Sequence, residues 1–201
     1  MIKLRASLAI LVGILTACLI SSPVLAILYG SGTYGNCTYD GCSITITTSG
    51  TINIDALPTA GGSCTTQKDT VAVLTHSGTG YSLTATSSTT NTNLVSGGNN
   101  IPTSGGTIAS PSPLSNSWGL RVDGLGGFGA GPTTPQTNGT TSSVGFAGLP
   151  PSSGTPLSLA STTGYNASTV NTSVWYGICA NTTVPSGTYT SSVLYTAVVN
   201  P

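Results

Sequence analysis

The chain has 201 residues, only 4% of them charged, with four Lys or Arg, four Asp, no Glu and a single His. Nucleic-acid recognition needs clustered Lys and Arg to displace counterions, and metal or acid–base chemistry needs clustered His, Asp or Glu. This composition therefore excludes nucleic acid as a partner, points to no metal or cofactor, and speaks against an enzyme; solubility must come from Ser, Thr, Asn and Gly.

Residues 1–26 have the three parts of a secretory signal: Lys3 and Arg5, an apolar run over 8–19, and Val24-Leu25-Ala26 at the cleavage position. The expectation is a signal helix over 1–26, then one secreted β domain over 27–201, extracellular or at the cell surface. Two rival readings concern the same segment. Leu15-Thr16-Ala17-Cys18 is similar to a lipobox, which makes Cys18 the candidate for lipidation. The hydrophobic stretch over 6–28 is also near the ~20 residues that span a bilayer, so an uncleaved anchor is the other alternative. Membrane contact is expected only through one of these two. Beyond the signal, Lys68 and Arg121 stand against Asp40, Asp55, Asp69 and Asp123, a balance of about −2.

Past residue 26 the cysteines are Cys37, Cys42, Cys64 and Cys179, an even set in a chain bound for an oxidising space. Of the three connectivities, Cys37 with Cys42 is favoured because Asp40-Gly41 between them is a turn that brings the ends together. Cys64 with Cys179 follows. The four-residue spacer is wrong for a thioredoxin-like redox pair, so both bridges are read as structural.

Residues 43–48 and 51–55 alternate Ile with polar partners across Ser49-Gly50 and are read as a first hairpin. Residues 70–75 and 81–86 flank His76-Ser77-Gly78-Thr79-Gly80 and are read as a second. Over 87–117 the pattern loosens into loops and short edge strands. Residues 118–123 form the next strand, 124–131 a glycine loop, and 144–149 and 156–160 further strands. Residues 174–199 carry the densest supply of large core residues, with a turn at Pro185 and Gly187, and are read as the closing hairpin. About eight or nine short strands with no helical periodicity predict an antiparallel β-sandwich of immunoglobulin-like, Greek-key type.

Gly124-Leu125-Gly126-Gly127-Phe128-Gly129 satisfies G-x-G-x-x-G, but Gly131-Pro132 follows where a dinucleotide site needs a helix. A turned loop is the better reading, with Phe128 either anchored in the core or exposed as a contact. His76 lies at a turn without metal-ligand neighbours and is read as solvated. Arg121 and Asp123 share a strand face and, with Phe128, are the candidate surface contacts. No catalytic set can be assembled: there is no G-x-S-x-G elbow and no glutamate.

Two segments resemble the WxL family of bacterial surface proteins. Gly80-Tyr81-Ser82-Leu83-Thr84-Ala85, followed by Leu94 and Gly97-Gly98-Asn99-Asn100, is similar to the region of that family's first motif. Gly187-Thr188-Tyr189-Thr190 and Leu194-Tyr195-Thr196-Ala197-Val198-Val199-Asn200-Pro201 resemble its second. Tyr81 and Tyr195 stand where the family has tryptophan, and Ala197 where it has leucine. The chain is also similar to small secreted proteins of Saccharibacteria, on Trp118-Gly119-Leu120-Arg121-Val122-Asp123, Gly127-Phe128-Gly129-Ala130-Gly131-Pro132 and Trp175-Tyr176-Gly177-Ile178-Cys179-Ala180-Asn181. The first resemblance implies a non-catalytic, wall-associated surface module whose partner is a cell-wall polymer, a glycan or a surface protein. The second implies export and an all-β fold. The alternative is a structural subunit of a pilus or surface layer that donates or accepts a strand.

Overall fold

The computed structural model describes residues 33–34, 37–38, 43–132, 134–139 and 144–201. The expected signal over 1–26, Cys18 and Cys42 lie outside these residues, and of Cys37 only the backbone is described; the Cys37–Cys42 pairing is therefore outside them too.

The described residues are all-β, and every pair of strands among them is antiparallel. A short pair, β1 (Thr33–Tyr34) and β2 (Cys37–Thr38), comes first. There follow β3 (Ile44–Thr47), β4 (Ser63–Thr75), β5 (Tyr81–Ser87), β6 (Leu94–Ser96) and β7 (Asn99–Ile101). The rest are β8 (Ser117–Val122), β9 (Gln136–Gly139), β10 (Leu157–Ser161), β11 (Val170–Ala180) and β12 (Val193–Val199). One sheet runs β3-β4-β11-β8, with β9 sharing the outer edge of β4 with β3; a second runs β10-β5-β12; β6 and β7 form a ribbon. The two larger sheets share one apolar core, an arrangement consistent with a β-sandwich.

Strand alternation explains how the larger sheet is covered on both faces. Val174, Tyr176 and Ile178 of β11 face inward with Val71 and Val73 of β4, meeting Tyr81, Leu83 and Ala85 of β5. The odd positions of β11 face the other way. There Cys179 is bonded to Cys64, directly opposite it in register, beneath Leu114 and Phe146. Structural disulfides form and persist chiefly in oxidising compartments.

Gly177 lies on that second face between Trp175 and Cys179, and a Cβ there would stand 2.6 Å from Cζ of the fully buried Phe146. Gly177→Ala is expected to destabilise by about 1–3 kcal/mol through overpacking, read as a lower urea midpoint at constant m-value.

The strands arise largely where alternation predicts them, but their partners differ. Each of the three expected hairpins is absent. β4 and β5 lie in different sheets, so residues 76–80 are a crossing between layers. β11 and β12 are likewise split between the sheets. β3 pairs with the end of β4, Ile44 opposite Thr75, and residues 51–55 form no strand. β4 also begins seven residues earlier than the apolar alternation, because its polar first half is held between β11 on one edge and β9 on the other.

The two sheets differ in length. β4 has 13 residues and β11 has 11, against 7 in β5 and β12 and 5 in β10. At ~3.3 Å per residue, β4 exceeds β5 by about 20 Å. The smaller sheet therefore cannot cover the half of the inner face formed by the start of β4 and the end of β11. Loops cover it instead, and incompletely.

Candidate functional site

The incompletely covered half is a cleft of about 1030 Å³. Its floor is the inner face of the larger sheet, with Asp69 of β4, Tyr176 and Ile178 of β11 and Trp118 of β8. One wall is the extended segment 50–58. The other is the connection 184–192 from β11 to β12, and Tyr195 of β12.

Segment 50–58 follows the inward-outward alternation expected of it although it pairs with no strand: Ile52, Ile54 and Ala56 pack against the core, while the residues between them are exposed. It is held by side chains instead. Thr65 and Ser63 donate through their hydroxyls to the carbonyls of Asp55 and Leu57, at 3.0 and 2.6 Å, and the Leu57 N–H donates to Asn138 Oδ1 at 2.7 Å. The opposite wall is tied down where Thr190 exchanges backbone hydrogen bonds with Val95 of β6, and where the Tyr189 hydroxyl donates to the Pro185 carbonyl at 2.9 Å.

Asp69 is the polar centre of the floor and is only 2% exposed. It sits two residues before Val71, on the same inward face, and opposite Val174 in register. Its Oδ1 accepts the Ser49 N–H at 2.9 Å, and the Thr70 N–H next to it donates to Ser49 Oγ at 3.2 Å. The Ser49 turn thus fills the gap between β3 and β9 on the outer edge of β4. The hydroxyls of Tyr176 and Tyr195 are hydrogen-bonded to each other. Burial pushes both phenols well above their ordinary range. For Tyr195, proximity to Tyr176 and to the Asp69 carboxylate pushes the same way; for Tyr176, Asp69 does so, while the bond to Tyr195 partly offsets it. Both remain neutral donors throughout the physiological range.

A raised folded-state value means that the native state holds these protons more tightly than the unfolded chain. Their contribution is complete below the ordinary phenol value of 10.0 and is lost as pH rises above it. Stability is expected to fall above about pH 10, and the double variant Tyr176→Phe/Tyr195→Phe should show a shallower fall. Urea midpoints between pH 8 and 11 check both.

The surface-contact candidates lie elsewhere, and two of the three are corrected by their burial. Arg121 has no exposed surface and Phe128 is 5% exposed. Arg121 is on the second face of the larger sheet, opposite Trp175. Its Nε donates to Asp123 Oδ1 at 2.9 Å, and its terminal nitrogens donate to the carbonyls of Gly145, Phe128 and Gly129 at 3.2, 2.9 and 3.1 Å. The guanidinium also lies 5.6 Å from the Phe128 ring centre. The strand alternation showed that Arg121 and Asp123 share a face; it could not show that a loop folds over that face. Only Asp123 keeps exposure.

The glycine motif belongs to the same loop. At Gly126 φ is +56°, and a Cβ would stand 2.8 Å from the Ile108 carbonyl oxygen, so the glycine serves close packing of the loop on residues 108–109. His76 is half-buried at its turn, with Nδ1 3.4 Å from Ser43 Oγ and its ring near Tyr165. Among the described residues no group of three or more His, Cys, Asp or Glu is placed to hold a metal ion.

The sequence reading did not single out Asp69 or the cleft. The signal for Asp69 is its place two residues before Val71 in an alternating run, which puts a carboxylate on an apolar face. No protein-family model, curated protein or solved structure matches the chain.

Proposed function

We propose that the protein is a non-catalytic, exported surface module, wall-associated through the cleft, on an immunoglobulin-like Greek-key sandwich. The observation that carries this reading is the cleft, a concave site of ligand-pocket size with aromatic walls and a few convergent polar groups. Asp69 is engaged by Ser49, and the one histidine is at a turn not among the cleft's lining residues, so binding is favoured over acid–base chemistry. The buried disulfide supports export. The resemblance to WxL modules supports a wall polymer, with Tyr195 in the position of the second motif's tryptophan and lining the cleft. The protein should sediment with purified peptidoglycan sacculi; recovery only in the supernatant, and only in culture medium in vivo, overturns the reading.

A strand-linked surface subunit is the second reading, favoured by unpaired edges. Among the described residues, the outer edges of β3 and β12 carry no partner strand, and the two strands lie near each other on one side of the molecule. Leu194 and Val198 on the outer face of β12 are 50% and 58% exposed. Such edges are templates for strand addition. Sedimentation velocity should then show concentration-dependent assembly that Leu194→Lys/Val198→Lys abolishes; a monomer at every concentration rules it out.

A further inference from the structure

We infer that the cleft takes an uncharged, hydroxyl-rich glycan chain rather than an anionic wall polymer. This rests on the wall-associated reading and names its ligand class.

Charge argues first. The described residues lining the cleft include Asp55 and Asp69 and no Lys, Arg or His. A phosphate- or uronate-bearing polymer entering it would bring like charges close to the nearly buried Asp69, with no cation to offset either the repulsion or the desolvation. A neutral chain meets no such cost.

Hydrogen-bonding capacity argues second. An ionised carboxylate accepts at about four lone-pair sites. Asp69 lines the cleft and receives the Ser49 N–H at Oδ1, which leaves acceptor capacity on the cleft floor. Sugar hydroxyls are donors suited to that capacity, and binding between them and an anionic acceptor is stronger than between neutral partners. Tyr176 and Tyr195 hold each other's hydroxyls and so fix the position of the floor before a ligand arrives.

Shape argues third. Tyr189 and Tyr195, both part-exposed, line the cleft and offer apolar ring surface to the C–H faces of a sugar, while the buried Trp118 and Tyr176 close its floor. Ser186 and Thr188, both exposed, line it as well and bring hydroxyl-bearing side chains to its rim. The volume, about 1030 Å³, is at the upper end of ordinary small-ligand pockets and suits an oligomer rather than a single sugar.

The test uses the full exported protein, titrated with chitotetraose, cellotetraose and mannotetraose as neutral probes and with glycerol-phosphate polymer as the anionic one. Trp118 in the cleft supplies a fluorescence signal, and Trp175→Phe, which removes the indole on the opposite face of the sheet, should leave that signal in place. At least one neutral probe is expected to bind and to displace the protein from sacculi. Asp69→Asn should weaken that binding about ten-fold, the scale of one hydrogen bond to a charged group. Thr188→Ala, at an exposed position on the loop wall, should weaken it without shifting the urea midpoint, which separates binding from folding. Glycerol-phosphate binding equal to or tighter than the neutral probes overturns the inference. So does sedimentation with sacculi while none of the three neutral probes binds, a result that leaves the wall-associated reading intact. Neutral-glycan binding without sedimentation has the opposite meaning: the ligand class stands and the wall association fails. Binding of an extended apolar peptide while none of the neutral probes binds would assign the cleft to a strand and overturn the glycan.

Discussion

Replacing Cys64 and Cys179 together by Ala is expected to lower the unfolding free energy by about 2–5 kcal/mol, and reduction of the native bridge should do the same. The bridge joins residues 115 apart in sequence, so in the unfolded chain it closes a loop spanning most of the described residues. It is also buried: Cys64 and Cys179 lie under Leu114 and Phe146, and their removal leaves space on the second face of the larger sheet. The entropic and packing effects have the same sign. Urea unfolding checks both, because loss of the cross-link should raise the m-value as the unfolded chain expands, whereas a packing defect alone should lower the midpoint at constant m. An unchanged midpoint in the double variant would contradict the stabilising role.

Arg121→Met is expected to cost about 3–5 kcal/mol, the range for breaking a buried charge network by removing one partner. Four acceptors depend on that side chain: the Asp123 carboxylate and the carbonyls of Gly145, Phe128 and Gly129. Removing it leaves carbonyls that burial keeps from water, so the cost exceeds that of one exposed ion pair. Arg121→Lys should recover little, since an ammonium cannot reproduce the planar fork that reaches two sides of the loop at once. Thermal unfolding of both variants checks this, and proteolysis should cut first within residues 124–131, whose loop Arg121 fastens to β8. Sugar binding in the cleft, on the opposite face of the sheet, should survive wherever the variants remain folded.

How much was legible in the sequence depends on which question is put to a residue. Val71, Val73 and Leu83 announce their buried face through alternation, because a pleated strand sends successive side chains to opposite sides. Alternation says nothing about which edge meets which strand. The five residues between β4 and β5 could close a hairpin or cross the ~10 Å between stacked sheets, and the crossing is what the core selects, since it buries Val73 against the layer that holds Tyr81 and Leu83. Arg121 shows the same division. Its side chain reads as surface until the 124–131 loop folds over it and adds the Phe128 and Gly129 carbonyls to the Asp123 carboxylate and the Gly145 carbonyl, and no local pattern announces that fold of the loop.

What the sequence by itself determined is the all-β class and most of the strand positions, since these follow from period-two burial; the expected pairing of Cys64 with Cys179 is present in the structure. The tertiary structure alone decided the partners of the strands, the burial of Arg121 and Phe128, and the existence of the cleft. The cleft is a consequence of unequal sheets: a 13-residue strand facing a 7-residue one leaves inner face uncovered. That inequality becomes visible only when the polar first half of β4, which shows no apolar alternation, is held as a strand by neighbours far away in the chain.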